Sequence, residues 1–364
     1  MRAFEHPGGV FNATPARVVF GLGRAADLRA EVERLGAQRA LVVTTPGRVG
    51  LGDRVAAQIG DRCAGLLPEA ITQVPIELAR RGRDKAASAD ADCLVAVGGG
   101  AATGLCKGIA YESELPIIAV PTTYSGSEMT GFCGMTIDGV KRMHESPAML
   151  PSTVVYDAEL SRSLPLAASA GSAMNALAHC VDAIYLPSLS PLLAPAAVEG
   201  ARVVVDALPR LLAAPDDLEA RSDMLYGAYL AGAALTGGFA LQHAIAHMLG
   251  GSFGVEHGVA HAVVLPYVTA HLADVAPEPL GRIADAVGAP GDLPGLFWDL
   301  AGAAGLPRRL ADVGMGPADL DKAVEIATTA EDHDDPRLAG NPAPVTEAVV
   351  GAILAAAATG GRPR

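Results

Sequence analysis

The chain has a single tryptophan among its 364 residues, and aromatic side chains make up only 4% of it. That leaves too little material for a platform on which nucleobases could stack. Cysteine is also sparse. Cys63, Cys93, Cys106, Cys133 and Cys180 are odd in number and scattered, with no CxxC pair. This pattern argues against a disulfide frame and a thiolate zinc site, and predicts a reducing, cytoplasmic setting. Positive charge is short too. Lys and Arg number 27 against 40 Asp and Glu, for a net charge of −13, and no basic run offsets the deficit. Nucleic acid is therefore not an expected partner. No apolar stretch is expected to reach membrane-span length, and the first ten residues carry no apolar secretory core, so no membrane partner is expected either.

Apolar residues make up 50% of the chain and charged residues 18%, the balance of a packed protein. At roughly 150 residues per domain, the length suggests two domains. The first, 1–160, alternates short β-branched runs with helical patterns. Arg17–Phe20, Leu41–Thr44, Leu94–Val97, Ile117–Val120 and Thr153–Asp157 read as strands, with helical spacing at Ala25–Leu35 and Arg54–Ile59. Continuous apolar runs of this kind suit strands buried on both faces of a parallel sheet. Asp138-Gly139 reads as a hairpin turn. The second domain, 161–364, is helical throughout, with segments at Ser172–Ile184, Ala196–Leu208, Asp223–Leu235, His243–Leu249 and Val345–Ala357.

Two loops in the first domain suit a phosphate ligand. Gly98-Gly99-Gly100-Ala101 joins a strand to a helix, where small residues let the backbone approach an anion and the helix start offers N–H groups. The turn is neither GxGxxG nor a Walker loop, so a simple tight turn is equally compatible with it. Pro121-Thr122-Thr123-Tyr124-Ser125-Gly126-Ser127-Glu128 follows the next strand at its carboxyl end, where open α/β sheets bind ligands.

The second domain concentrates histidine. Asn175 and His179, His243 and His247, and His257 and His261 are each four residues apart, which places each pair on one helix face. Several imidazoles on apolar helix faces are costly to bury without a task. Two tasks fit: a metal site from His179, His243, His257 and one more ligand, or a metal-free acid/base site. The position that could supply a charge-balancing carboxylate is Asn175, an amide, which weakens the metal version. Asp182, seven residues past Asn175 and three past His179, is the alternative source of that carboxylate, but the favoured expectation is an exposed helix carboxylate.

Taken together, Gly98–Gly100, Pro121–Glu128, Asn175-x3-His179 and His243-x3-His247-x9-His257 resemble the iron-containing alcohol dehydrogenase superfamily. Within it, the chain is similar to the maleylacetate reductases, which share the Asn-Ala-Leu-Ala-His run and an Asn-Pro-Ala-Pro segment like that at Asn341. The resemblance implies a dehydroquinate synthase-like fold: an α/β dinucleotide-binding domain with a parallel sheet, then an all-α catalytic domain, with the active site in the cleft. It also implies a homodimer and a small-molecule substrate, either maleylacetate or the carbonyl or enone substrate of a biosynthetic paralogue. A metal-dependent alcohol or aldehyde dehydrogenase and a catalytically dead relative are the rival expectations.

The resemblance places Gly98, Gly99, Gly100 and Ala101 at the cofactor pyrophosphate. Thr122, Thr123 and Ser127 would line the cofactor groove, and Lys141 would lie near the nicotinamide ribose. His179, His243, His247 and His257 would be the catalytic set, without a metal. The chain departs from related reductases at Ala101-Ala102, where Ser-Thr is usual, and at Ala244, where Lys is usual. After the second strand, Thr44–Arg48 contains no acid to hold a ribose 2′-hydroxyl, and Arg48 could meet a 2′-phosphate. NADH or NADPH is therefore the expected cofactor.

Overall fold

A computed structural model describes residues 17–137, 140–328 and 340–363, and leaves the side chains of Val140 and Lys141 outside the description. The chain divides into two compact units, one ending at Leu164 and the other beginning at Pro165.

The first unit is built on a six-stranded sheet in the order β1-β8-β5-β4-β2-β3, parallel throughout. Its strands are β1 (Arg17–Phe20), β2 (Ala40–Val43), β3 (Cys63–Leu67), β4 (Cys93–Gly98), β5 (Ile117–Pro121) and β8 (Thr153–Tyr156). Every residue of β2, β4, β5 and β8 is buried, because both faces of the sheet are covered. Val42, Val95, Val97 and Ile118 pack with α1 (Leu28–Arg34) and α2 (Val49–Ile59). Leu41, Val43, Leu94 and Ala96 pack on the opposite face with α3 (Ile76–Ser88) and α4 (Gly100–Ser113). Alternate residues of one strand thus serve two cores, so an uninterrupted apolar run is what each strand needs.

β6 (Phe132–Ile137) and β7 (Val140–Glu145) form an antiparallel hairpin. Its expected turn residues, Asp138 and Gly139, lie outside the described residues. Asp157 closes the unit: its carboxylate accepts from the backbone N–H of Gly23 and Ala25 and caps α5 (Ala158–Ser161) through Glu159.

The second unit is helical: α6 (Leu166–Ala183), α7 (Ala194–Ala213), α8 (Leu218–Leu235), α9 (Leu241–Phe253), α10 (His257–Val275), α11 (Pro277–Ala286), α12 (Leu293–Ala303), α13 (Pro317–Ala327) and α14 (Glu347–Thr359). One expectation is corrected here. α10 is long and apolar enough to cross a bilayer by length and composition. It is instead a core helix, packed against α6, α9, α11, α12 and α14, with 67% of its apolar window buried. The five cysteines are free, four of them buried.

Candidate active site

In the first unit, β2 has β3 on one side and β4 on the other, so the strand order reverses there and the carboxyl ends of β2 and β4 flank the switch point. Thr44, just past β2, ties the two ends together by donating its hydroxyl to Val97 O at 2.8 Å. β4 and β5 end side by side, with Gly98 opposite Pro121 and Thr122 N donating to Gly98 O at 2.9 Å. The glycine turn and the Pro121–Glu128 loop are therefore neighbours.

Each glycine of the turn has its own reason. Gly98 has a φ of +146°, which a side chain would strain. A Cβ at Gly99 would lie 2.7 Å from Thr123 Cγ2 and 2.8 Å from its Oγ1, so Thr123 occupies that space. Gly100 is open, the nearest atom to an added Cβ being Ser125 Oγ at 3.9 Å. Gly99, Gly100 and Ala101 remain solvent-accessible, and no side chain caps the N-terminus of α4. That leaves main-chain donors and a positive dipole end for an anion. Thr123 Oγ1 is buried with no hydrogen-bond partner among the described residues. Thr123 and Ser127 are half-buried beside the turn, whereas the side chain of Thr122 is interior. Arg48 is held by Ser163, with Nη1 donating to Oγ at 2.6 Å. Lys141 has its backbone opposite Thr136 in the hairpin, and its side chain lies outside the described residues.

In the second unit, the predicted histidines come together. His179 on α6 stacks on His243 of α9, with centroids 4.8 Å apart and planes within 13°. His243 lies 5.8 Å from His247 and 4.6 Å from His261 of α10. His257 completes the chain, 5.5 Å from His247 and 4.6 Å from His261. Three helices thus supply five contiguous imidazoles, graded from wholly buried His261 to exposed His257. Phe239 packs against His243 and His247, at 5.6 and 5.5 Å. His261 was legible as the i+4 partner of His257, yet the family pattern assigns it no role.

Asp182 overturns its expectation. It is fully buried and accepts five hydrogen bonds. Tyr185 Oη and Gln242 N donate to Oδ1, at 2.9 and 3.2 Å. Ala240 N, His243 N and His243 Nδ1 donate to Oδ2, at 3.0, 3.0 and 2.8 Å. The carboxylate therefore caps α9 and binds the ring of that helix's third residue. A carboxylate only accepts, so Nδ1 of His243 carries a proton and Nε2 is left for chemistry. The available signal was helical geometry: Asp182 lies three and seven residues beyond His179 and Asn175, on the same buried face.

Burial holds the His179 and His261 imidazoles well below the ordinary histidine range, and the neighbouring His243 and His257 add to the effect. Both are neutral at physiological pH. His179 Nδ1, His243 Nε2 and His261 Nε2 are buried without a hydrogen-bond partner among the described residues. Leaving buried polar atoms of such a cluster unpaired costs free energy, which a polar ligand that meets them would relieve. Among the described residues, no group of three or more His, Cys, Asp or Glu side chains is placed to hold a metal ion.

Comparison with known proteins agrees with both halves of this description. Residues 15–158 match the model of the iron-containing alcohol dehydrogenase family, and residues 169–358 match that of the C-terminal part of the Fe-containing alcohol dehydrogenase family. A maleylacetate reductase from a Rhizobium species is 41% identical over 97% of this chain and 99% of its own. Among solved structures, a putative alcohol dehydrogenase from Ralstonia eutropha superposes with a TM-score of 0.93 at 43% identity, covering 99% of this chain and 100% of that one. A maleylacetate reductase from Agrobacterium tumefaciens superposes at 0.91 and 39%, covering 98% and 100%. The chain is an oxidoreductase and belongs to the iron-containing alcohol dehydrogenase family.

Proposed function

We propose that the chain is an NAD(P)H-dependent reductase that converts maleylacetate to 3-oxoadipate in the breakdown of aromatic compounds, and that it does so without a metal. The observation that carries this reading is the contiguous set of five imidazoles with an amide, Asn175, on the same helix face as His179. An ion held by neutral imidazoles is helped by a carboxylate that offsets its charge. Asp182 already accepts five donors and has no lone pair to give. The donor set therefore suits a divalent ion less well than one with a carboxylate at residue 175. The likeness to maleylacetate reductases across nearly the whole chain supplies the substrate class.

The substrate has an alkene conjugated to a ketone. Reduced nicotinamide, when bound, supplies hydride to the alkene carbon β to that ketone. The electron pair then rests on the ketone oxygen as an enolate, and the α carbon takes a proton to complete the saturated product. His243 and His247 are assigned to the reacting centre, where a doubly protonated ring stabilises the enolate, donates a proton to the α carbon and is reprotonated from solvent. Asp182 holds Nδ1–H of His243, so Nε2 is the nitrogen that carries and gives up the transferred proton. His179 and His257 are assigned to holding the substrate. On the cofactor side, Gly98–Ala101 and the start of α4 would receive the pyrophosphate, with Thr123, Ser127 and Lys141 along the groove. Arg48 replaces the acid that would reject a 2′-phosphate, so both NADH and NADPH are accepted. We further propose a homodimer, which a single sedimenting species near the one-chain mass of 36.9 kDa would overturn.

The test is oxidation of NADH and of NADPH in parallel, with maleylacetate set against simple ketones and aldehydes. Turnover confined to ketones or aldehydes overturns the substrate assignment. His243→Ala is expected to lower kcat/KM by about 100-fold or more, and a loss of less than about twofold refutes the catalytic assignment.

A further inference from the structure

Lys107 lies within α4 and is completely buried, yet it makes no salt bridge among the described residues. Its three ammonium protons meet three acceptors: Ser127 O at 2.6 Å, Phe132 O at 2.8 Å and Thr130 Oγ1 at 3.0 Å. All three lie on one short segment that continues the Pro121–Glu128 loop. Between Pro121, where β5 ends, and Phe132, where β6 begins, that segment has no sheet ladder to hold it. A second anchor sits beside it, where Tyr156 donates to the buried Glu128 carboxyl at 2.8 Å.

We propose that Lys107 is a positioning residue for the dinucleotide, fastening the Ser127–Phe132 segment to α4 and so fixing the groove between the glycine turn and the Thr123–Ser127 run. The inference rests on the cofactor reading given above. The lysine does not touch the ligand; it sets where the loop that touches it stands. α4 begins at the glycine turn, so one rigid helix carries both the anion-facing N-terminus and the ammonium that orders the opposite wall. Removing that ammonium takes a charged donor from Phe132 O and from Ser127 O, which keeps only the longer bonds from Thr130 N at 3.3 Å and Thr130 Oγ1 at 3.2 Å, and the segment can relieve that loss by moving.

Burial lowers Lys107 to about 8, partly offset by Cys133 on β6 and by Glu128 within the loop, both of which raise it. Deprotonation leaves two donors for three acceptors. Cofactor affinity is thus expected to fall as pH rises through that value.

The experiment measures NADH and NADPH binding by nicotinamide fluorescence, with steady-state kinetics, on the full chain and on Lys107→Met and Thr130→Val. In Lys107→Met, Kd and KM for the cofactor should rise by about tenfold or more, while kcat at saturating cofactor falls by less than about threefold. The decline in affinity above pH 8 should be present in the parent and absent in this variant. Thr130→Val removes one acceptor at nearly constant volume and should raise Kd by about threefold, which keeps the test decisive if Lys107→Met does not fold. A folded Lys107→Met with parental affinity and a parental pH profile overturns the inference alone, as does parental affinity in Thr130→Val. A parent chain that binds neither nucleotide overturns the cofactor reading and this inference together.

Discussion

Asp182 on α6 holds His243 on α9 twice, through the backbone N–H at 3.0 Å and through ring Nδ1 at 2.8 Å. The same oxygen thereby fixes the start of a helix and the orientation of the imidazole assigned to proton transfer. Asp182→Asn keeps the shape but turns one oxygen into a donor facing N–H groups. The expected loss of stability is about 2–4 kcal/mol, as for other broken buried charge networks. kcat/KM should fall by about tenfold or more in the folded fraction, because the favoured His243 tautomer is no longer enforced. Denaturant titration alongside kinetics checks both, and a folded variant with parental kcat/KM contradicts the positioning role.

A second relationship sets the spacing of α6 and α10. A Cβ at Gly258 would lie 2.7 to 2.9 Å from the backbone of Gly171, whereas one at Gly171 would lie 3.4 Å from Gly258 Cα, an ordinary contact. Gly258 is flanked by His257, and His261 is less than one turn beyond it. Alanine in a helix gains about 0.5–1 kcal/mol over glycine, but forcing apart two packed backbones costs about 1–3 kcal/mol. Gly258→Ala should therefore destabilise the protein and lower kcat/KM, while Gly171→Ala should be nearly neutral. Melting temperatures and kinetics of the two variants test the asymmetry, and equal effects would contradict it.

The same geometry shows what the amino-acid sequence could and could not reveal. β2, β4, β5 and β8 were legible because burial on both faces demands unbroken apolar runs. β3, Cys63-Ala64-Gly65-Leu66-Leu67, was not, since an edge strand without β-branched residues carries no such run. α3 was missed because its exposed face carries Glu77, Arg80, Arg81, Asp84 and Lys85 and its apolar residues are few. The histidines were legible by their i, i+4 spacing, but Asp182 was read wrongly. Its partners at Ala240, Gln242 and His243 are 58 to 61 residues away, and no local pattern announces them. Lys107 was equally silent, because a lysine in a helix gives no sign that three acceptors from another segment surround it.

Acid should unfold the helical unit sooner than the carboxylates alone would. His179 and His261 are held below the histidine value of 6.5 by burial first and by neighbouring imidazoles second. The unfolded chain therefore binds more protons than the folded one once pH drops below about 6.5. Their neutral form is fully compatible with the fold above that pH, and stability is lost progressively as pH falls below it. The slope of unfolding free energy between pH 6.5 and 5 should be positive in the parent and shallower in His261→Gln, which keeps a polar side chain without titrating. Urea titrations across that interval measure it, and identical slopes would remove His261 from the account.

Asn175 offers the sharpest test of the metal-independent reading. The residue is buried, on the helix face that also carries His179. Dialysis of the parent against a chelator should leave kcat/KM within about twofold, since no step assigned to the chain uses an ion. Asn175→Asp places a carboxylate beside the imidazoles and completes the kind of set that a divalent ion favours. In chelator, that variant should melt several degrees below the parent, because a buried charge stands without a cation. Added zinc or iron(II) should restore its melting temperature by binding the folded state, while leaving the parent unmoved. A parent that gains the same stabilisation from the same ions has a metal site built without residue 175, and the metal-independent mechanism fails with that result.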